Sequence, residues 1–348
     1  MRAAVMRDRR LVVDDVPEPV PGPGQVLVKT LACGICGSDL HALRHAERMV
    51  EAARDAGAGA FVMDLSRDVV MGHEFCAEIL EYGPGSTPRL RPGERVCAMP
   101  IVLHAGGLAS VGYSNEFPGG YGERMLLAEP LLLPVPNGLP TEAAALTEPL
   151  AVGEHAVVMA RLEKTDAPVV VGCGPVGLAV IAALGRRGVG PIVASDFSPA
   201  RRALALQMGA HVAVDPAHDS PCARLAKEAP GRGSVAFECV GVPGMLDRLC
   251  REAPAGARLV VAGVCMEEDR IQPFVPIVKQ LQLQFVLGYT PDEFAGTLRA
   301  IAEGEIDTAP LVTGKVGVDG VAGAFEALAS PERHAKILVE PWREGGLA

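Results

Sequence analysis

A chain of 348 residues is long enough to form two domains, each with a hydrophobic core of its own. The formal net charge of −10 and the absence of any basic cluster argue against nucleic acid as a partner. The apolar runs fall well short of the ~20 residues of a membrane span, and the amino terminus has no signal-peptide core. Because the nine cysteines are an odd number and mostly isolated, we expect reduced thiols in a cytoplasmic protein that has no membrane partner.

The first 150 residues are predicted to form short strands separated by turns. Apolar, β-branched stretches bounded by Gly or Pro predict strands at 25–35, 77–83 and 93–102. One helix interrupts them, because apolar residues recur at helical spacing from Leu43 to Ala53. This pattern predicts a helix over 43–57, which Gly57 can end.

From about residue 153, predicted strands and helices alternate, which indicates a parallel sheet covered by helices on both faces. One of these helices has clear boundary signals, with Ser198 as N-cap, Pro199 in the first turn and Gly209 beyond the end. Near the carboxyl terminus, helices are predicted at 292–303 and 319–329, followed by a strand in HAKILVEP.

The segment LACGICGSDLH contains Cys33 and Cys36 in a Cys-x-x-Cys spacing. That spacing is compatible with a redox pair, with half of a structural zinc site or with coincidence. A redox pair would need both thiols at a helix N-terminus, whereas this pair ends a predicted strand. Ser38, Asp39 and His41 follow within five residues of Cys36, so the reactive part of the segment runs forward from that cysteine.

A glycine-rich loop follows a β-branched strand in VVVGCGPVG and opens a predicted helix. Gly172 permits a tight turn, Gly174 lets the backbone approach a pyrophosphate, and Gly177 lets the helix and strand pack closely. The pyrophosphate would then bind free N–H groups at the helix N-terminus, and the predicted cofactor loop also includes Pro175 and Val176.

An acidic residue, Asp196, lies at the end of the next predicted strand. A carboxylate there accepts hydrogen bonds from ribose hydroxyls and repels a 2′-phosphate, so NAD is favoured over NADP. Arg201 is predicted to contact the cofactor and, with Arg202, could soften that preference. A glycine-rich turn without a ligand is the alternative, but the strand, glycines, helix and acid all stand at the expected spacing.

Ligands of the type that zinc prefers stand in the first half of the chain. They are Cys36, and then His73 and Glu74 in MGHEF. Zinc binds thiolate, imidazole and carboxylate groups in tetrahedral geometry, and a catalytic zinc keeps one position open for water or substrate. One thiolate with harder ligands would leave the metal a strong Lewis acid.

The motifs GICGSDLH, GHE, TEPLAVGEHA, VVGCGPVG and FECVG are spread over most of the chain. Together they resemble the zinc-dependent medium-chain alcohol dehydrogenase superfamily, and within it the polyol (sorbitol-type) dehydrogenases. The resemblance implies an α/β fold, in which a discontinuous, partly barrel-like (GroES-like) catalytic domain flanks a Rossmann domain with a doubly wound parallel sheet. We expect the catalytic domain at 1–152 and 288–348 and the Rossmann domain at 153–287, with the active site between them.

The resemblance also implies roles for individual residues. Cys36 and His73 match zinc ligands, and Glu74 matches a carboxylate that is a ligand in some members of the superfamily. Glu148 in LTEPL stands where polyol dehydrogenases have a glutamate, and it either binds zinc directly or holds the zinc-bound water. Asp39 matches an acid that orients the ligand histidine.

Ser38 and His41 match a proton relay that leads from the substrate hydroxyl to solvent through a ribose hydroxyl. The activity implied is hydride transfer between NAD(H) and a secondary alcohol or ketone, with polyols and sugar alcohols as candidate substrates. Members of the superfamily form dimers and tetramers, so a homodimer or homotetramer is expected. Candidates for the wall of the substrate cleft are Tyr113, Phe117 and Tyr289.

Two features depart from the superfamily pattern. Many members hold a structural zinc with four closely spaced cysteines, but the corresponding stretch here, 97–125, has Cys97 as its one cysteine. We therefore expect one catalytic zinc per chain and no structural zinc. The segment between His41 and His73 is also long and borders the cleft, which leaves room for an unusual substrate.

Two alternative functions remain open. A zinc-free reductase of the same superfamily would bind the dinucleotide but would not need the set Cys36, His73 and Glu74. A non-catalytic dinucleotide-binding protein would share the glycine loop, although nothing obvious disables this site. Activity with and without a chelator separates these alternatives.

Overall fold

The computed structural model describes residues 1–104, 106–136, 138–330 and 332–347. Its strands are β1 (Arg2–Arg7), β2 (Arg10–Asp15), β3 (Gln25–Gly34), β4 (Glu74–Tyr82), β5 (Arg95–Cys97), β6 (Ile101–His104), β7 (Gly107–Ser110), β8 (Arg124–Ala128), β9 (Leu133–Pro134), β10 (Asp166–Val171), β11 (Val193–Ser195), β12 (Val212–Val214), β13 (Gly233–Glu238), β14 (Arg258–Val261), β15 (Gln282–Phe285), β16 (Val312–Val316) and β17 (Lys336–Val339).

The α-helices are α1 (Gly37–Asp55), α2 (Thr141–Ala145), α3 (Thr147–Met159), α4 (Pro175–Arg186), α5 (Pro199–Gln207), α6 (Pro221–Glu228), α7 (Met245–Glu252), α8 (Phe274–Lys279), α9 (Pro291–Ala302) and α10 (Val321–Leu328). None of the helices within the described ranges has the length and apolar character needed to cross a membrane.

The alternating second half of the chain forms a six-stranded parallel sheet in the order β12-β11-β10-β13-β14-β15. Its central strand β10 is buried along its whole length. Val170 packs into a hydrophobic cluster with α4, whereas Val169 and Val171 pack into another with α6 and α7. Both faces of the sheet are therefore covered, as a doubly wound fold requires, and the predicted fold class is confirmed.

A second sheet joins strands from both ends of the chain in the order β16-β17-β3-β4-β5-β9, with β8 also paired to β3. The carboxyl-terminal strand β17 runs antiparallel to β3, with Val339 opposite Cys33. This sheet is therefore discontinuous in sequence, and the parallel sheet lies between its two parts along the chain. The domain bounds at 152/153 and 287/288 stay predictions that this arrangement supports.

Two predicted strands have different limits in the structure. The single strand predicted over 93–102 is two strands, β5 and β6, and the break between them contains Pro100. Proline has no N–H for the ladder, which explains why pairing stops there. The strand predicted at 77–83 begins earlier, because β4 already pairs with β3 at Glu74.

The helix predicted over 43–57 begins six residues earlier, at Gly37. The reason lies in its first turn, where the Asp39 side chain accepts a hydrogen bond from the N–H of Cys36 at 3.1 Å. This contact satisfies a backbone group that would otherwise be free at the helix start. Hydrophobic periodicity did not reveal it, because the first turn is polar, and a kink at His45 (φ −129°, ψ 35°) separates it from the amphipathic part.

The boundary signals of the helix after Asp196 are confirmed. Ser198 Oγ accepts a hydrogen bond from the N–H of Arg201 at 3.2 Å, and Pro199 stands in the first turn of α5. Gly209 has a φ of +113° just beyond the helix. Towards the carboxyl terminus, α9, α10 and β17 lie within one to two residues of the predicted elements.

Candidate metal and dinucleotide site

Strand pairing brings the three predicted zinc-type ligands together. Gly34 at the end of β3 lies opposite Glu74 at the start of β4, and Cys36 follows as the N-cap of α1. One ligand atom from each of Cys36, His73 and Glu74 lies within 4.8 Å of the others. Gly34 is required here, because a Cβ at that position would collide with the Glu74 carboxylate. The register of one antiparallel strand pair, β3 and β4, thus brings a thiol, an imidazole and a carboxylate together.

Asp39 is a buried acid whose carboxylate lies next to the imidazole of His73. Its side chain is fully buried, and its Oδ1 lies 3.4 Å from Nδ1 of His73. Burial raises the pKa of Asp39, but the nearby His73 and hydrogen bonds from two tyrosines outweigh it, so the pKa is lowered. An ionised carboxylate facing Nδ1 leaves Nε2 as the ring nitrogen for a metal, as the resemblance implied for Asp39.

His73 is almost fully buried, and the direction of its pKa shift shows which charge its surroundings favour. Burial lowers its pKa, but the facing Asp39 and the adjacent Cys36 outweigh that effect and hold the pKa well above its ordinary value. The surroundings of this ring therefore stabilise positive charge. A thiolate, an imidazole and a carboxylate in such surroundings are a donor set that fits zinc.

A buried lysine that the sequence did not reveal also belongs to the site. Lys336 Nζ on β17 lies 2.7 Å from both carboxylate oxygens of Glu74 and donates to the carbonyl of Ile35 at 3.0 Å. Burial lowers the pKa of Lys336, but the surrounding anionic groups, Glu74 foremost, raise it overall. The one signal in the sequence is a lysine in the apolar strand HAKILVEP. Glu74 is therefore already engaged with a cation.

Glu148 stands in the first turn of α3 and lies outside the cluster of three ligand atoms. Tyr289 Oη donates a hydrogen bond to Glu148 Oε1 at 2.8 Å. The pKa of Glu148 is raised to about 7, chiefly by burial and further by Glu74, while His73, Tyr289 and Lys336 act in the opposite direction. Tyr289, a candidate for the cleft wall, thus contacts this glutamate. Direct zinc ligation by Glu148 stays a prediction.

Ser38 and His41 lie one helical turn apart on α1, and both are half-buried. Among the hydrogen bonds of the described residues, none joins the two side chains. Ser38 Oγ instead lies 2.8 Å from the phenol oxygen of Tyr113, which was predicted only as a wall residue. Burial, with His45 and Arg44 nearby, lowers the pKa of His41 and favours its neutral form at neutral pH.

The glycine loop has the geometry that a pyrophosphate needs. Gly172 has a φ of +91°, and a Cβ at Gly177 would collide with the carbonyl oxygen of Gly172. Gly174 is the N-cap of α4, which opens with Pro175 and Val176, and all three are partly accessible to solvent. The backbone here can approach a ligand closely, so the loop fits a dinucleotide.

Asp196 follows directly after β11, where the ribose partner was predicted. Its carboxylate accepts hydrogen bonds from the N–H groups of Cys173 and Ser198, both at 2.8 Å. The acid is thereby held against the glycine loop. A Cβ at Gly174 would lie 3.7 Å from a guanidinium nitrogen of Arg201, so this arginine lies beside the loop as well.

Comparisons with known proteins show which family the chain belongs to. The family model described as alcohol dehydrogenase GroES-like domain matches residues 22–137, and the model described as zinc-binding dehydrogenase matches 175–303. The chain is 32% identical to (R,R)-butanediol dehydrogenase of Bacillus subtilis, over 98% of this chain and 100% of the relative. It is 27% identical to sorbitol dehydrogenase of the same organism, over 99% of this chain and 98% of the relative.

Solved structures show the same similarity. The crystal structure of 2R,3R-butanediol dehydrogenase from Bacillus subtilis matches with a TM-score of 0.83, 32% identity and coverage of 98% of this chain and 99% of that one. A proposed zinc-binding dehydrogenase from Sinorhizobium meliloti 1021, bound to NADP, matches with a TM-score of 0.81, 26% identity and the same coverage. The protein is thus an oxidoreductase that transfers a hydride between a nicotinamide cofactor and a secondary alcohol or ketone. The chain belongs to the zinc-dependent medium-chain alcohol dehydrogenase superfamily, in the branch of the polyol dehydrogenases.

Proposed function

We propose that the protein is an NAD-dependent dehydrogenase of secondary alcohols that carry a neighbouring hydroxyl group, with one catalytic zinc per chain. The observation that carries this proposal is the approach of Cys36, His73 and Glu74 to within 4.8 Å of one another. The substrate class is supported by the relatives, two of which are (R,R)-butanediol dehydrogenases from different bacteria and one a sorbitol dehydrogenase.

In this proposal Cys36, His73 and one carboxylate hold the zinc. The carboxylate is Glu74 or Glu148, and each has a competing partner, Lys336 for Glu74 and Tyr289 for Glu148. When bound, zinc supplies Lewis-acid chemistry, which lowers the pKa of an alcohol hydroxyl near it. Asp39 keeps the His73 ring in the orientation that points Nε2 at the metal.

The remaining residues handle the proton and the cofactor. Ser38 accepts the hydrogen bond of the substrate hydroxyl, and His41 takes the proton towards solvent through a ribose hydroxyl of the cofactor. The lowered pKa of His41 suits this role, because a neutral imidazole can accept a proton at neutral pH. Asp196 binds the ribose and disfavours a 2′-phosphate, so NAD is the preferred cofactor. Arg201 lies where it can contact the cofactor, and it limits that preference.

The resemblance would place a structural zinc in the stretch 97–125, but the single cysteine of that stretch is engaged elsewhere. Cys97 is fully buried in β5, and its thiol donates a hydrogen bond to the carbonyl of Ala144 at 3.2 Å. No other cysteine stands within 97–125. We therefore propose a zinc content of one ion per chain.

We further propose that the protein is a cytoplasmic homodimer or homotetramer, without nucleic acid or membrane as a partner. Strand β15 ends the parallel sheet, so one of its edges pairs with no other strand among the described residues. Exposed apolar side chains surround it, on the strand, on α8 and just beyond, namely Phe274, Ile277, Val278, Phe285 and Leu287. An unpaired edge beside such a surface is suited to pairing with a second copy. All nine cysteines are free thiols, which suits a reducing compartment.

The test is to follow NADH formation with purified protein and a panel of alcohols. The panel contains the stereoisomers of butanediol, sorbitol, threonine and a simple secondary alcohol, each with and without a strong chelator. We expect oxidation of a vicinal diol that stops when zinc is removed and returns when zinc is added. Full activity in the zinc-free protein would instead favour a zinc-free reductase. NADH binding without turnover of any alcohol or ketone would favour the non-catalytic alternative.

A further inference from the structure

The segment 97–125, which was compared above with the structural-zinc stretch of the superfamily, places a tyrosine inside the candidate active site. Tyr113 is 4% exposed, and its ring centroid lies 5.2 Å from that of His73. Its phenol oxygen lies 2.8 Å from Ser38 Oγ and 2.8 Å from Asp39 Oδ1. This one hydroxyl therefore links the proposed proton acceptor to the acid behind the metal site.

The position of Tyr113 is fixed by close backbone packing. The loop 111–121 lies on residues 70–72, directly before His73, through hydrogen bonds from the N–H groups of Gly119, Gly120 and Tyr121. A Cβ at Gly119 would collide with the carbonyl of Met71. These hydrogen bonds hold the loop that carries Tyr113 against the segment that carries His73, so the two side chains are brought together by adjoining backbone.

The hydrogen bonds around Asp39 determine where the proton of Tyr113 points. Asp39 Oδ2 accepts from Tyr121 Oη at 2.6 Å and from the N–H of Cys36 at 3.1 Å. A buried carboxylate surrounded by donors acts as an acceptor, and a phenol has a single proton. Tyr113 therefore donates to Asp39, and its oxygen is left as the acceptor for the hydroxyl of Ser38.

We infer that Tyr113 is a positioning residue that fixes the direction of the Ser38 hydroxyl. Before proton transfer, Ser38 donates its proton to Tyr113, and the free lone pairs of Ser38 Oγ face the cleft. When the substrate proton moves to Ser38 Oγ, the original serine proton passes to the ribose hydroxyl. Such a serine accepts a hydrogen bond from an alcohol but offers none to a ketone. Tyr113 thereby favours binding of the alcohol over binding of the corresponding ketone. The inference rests on the proposed function, in which Ser38 contacts the substrate oxygen.

Tyr113→Phe removes this contact, and Tyr121→Phe is the matched control. Both tyrosines are buried and both donate to Asp39, but only Tyr113 contacts Ser38. The probes are 2-butanol, titrated into the zinc-loaded protein with NADH, and butanone, titrated with NAD. Neither complex can turn over, because the alcohol meets only reduced cofactor and the ketone has no hydroxyl to oxidise. The two dissociation constants, the kcat and KM for butanediol oxidation and the unfolding midpoint are measured for each protein.

We expect Tyr113→Phe to reduce the preference for 2-butanol over butanone by about tenfold, which corresponds to the free energy of one ordinary hydrogen bond. Tyr121→Phe should lower the unfolding midpoint and leave that preference within twofold of the wild-type value. An unchanged preference in a folded Tyr113→Phe protein would overturn the inference. A wild-type protein that oxidises no alcohol would overturn the proposed function, and the inference with it.

A neutron structure of the wild-type protein tests the same point without any variant. We expect one deuteron between Tyr113 and Asp39 and another between Ser38 and Tyr113. A Ser38 deuteron directed into the cleft, with Tyr113 donating to Ser38, would contradict the inference even if Tyr113→Phe failed to fold.

Discussion

Lys336 Nζ contacts both carboxylate oxygens of Glu74 at 2.7 Å, although the two residues lie 262 positions apart in the chain. They meet because β17 and β4 flank β3 in one sheet. Both side chains are almost fully buried, at 3% and 0% exposed. The last strand of the chain thus controls the charge around a candidate zinc ligand in the first half.

Loss of the lysine should destabilise the protein strongly. Lys336→Met leaves the Glu74 carboxylate buried without a partner, which costs about 3–5 kcal/mol of unfolding free energy. Urea unfolding of the zinc-free protein measures the loss, and Lys336→Met combined with Glu74→Gln should recover much of it. Lys315→Met is the control, because Lys315 pairs with Glu142 and Glu340 but is 27% exposed, so its loss should cost about 1 kcal/mol or less. Equal losses for the two lysines would contradict this account.

The two cysteines of CGIC should behave differently. Cys36→Ser should lower the zinc content to well under half an ion per chain and abolish turnover, while NADH binding remains, because the glycine loop is unchanged. Cys33 is fully buried in β3, so Cys33→Ala should cost roughly 1 kcal/mol of stability and leave zinc and activity largely intact. Metal analysis and NADH fluorescence check both variants. Zinc loss in Cys33→Ala would revive a role for the cysteine pair.

The rate of alcohol oxidation should fall at acid pH as His41 becomes protonated. Its pKa lies below the ordinary value of 6.5 because of burial and the nearby His45 and Arg44. The neutral form needed to accept a proton is therefore present at neutral pH and is lost only as the pH falls below 6.5. His45→Gln removes a neighbouring charge and should move the acid limb of the kcat profile to higher pH. An identical acid limb in His41→Gln would show that another group controls it.

The cofactor preference should depend on Asp196. Asp196→Ser removes the carboxylate that disfavours a 2′-phosphate, so the ratio of kcat/KM for NAD over NADP should fall by at least tenfold. Asp215→Asn is the control, because Asp215 pairs with Arg202 at 3.2 Å but was not predicted to contact the ribose. Steady-state kinetics with both cofactors give the ratio. A fall of the same size in the control would indicate that the arginine, rather than Asp196, sets the preference.

Association of subunits should depend on the apolar surface at β15. Leu287→Arg places a charge in that surface and should shift the sedimentation profile towards a smaller species. Leu103→Arg alters another exposed leucine, on the hairpin β6–β7 that forms a separate two-stranded sheet, and should leave the profile unchanged. A monomeric wild-type protein would contradict the proposed oligomer directly.

Several elements could be predicted because their signals are local. The glycine loop, the acid after β11 and the adjacent pair His73 and Glu74 each occupy a short stretch, so spacing alone identifies them. The start of α1 could not be predicted from periodicity, because the Asp39 contact with Cys36 replaces an apolar pattern in the first turn. The strand over 93–102 was predicted as continuous because its composition is apolar on both sides of Pro100.

The sequence by itself determined the chemistry of this protein, since the donor types for zinc and the loop for a dinucleotide are contiguous motifs. Only the tertiary structure decided which side chains contact those motifs. Lys336 reaches Glu74, Tyr113 reaches Ser38 and Tyr289 reaches Glu148 across 262, 75 and 141 positions of sequence. Such pairs depend on strand register and on how loops pack, and burial then makes the electrostatic effect of each pair large.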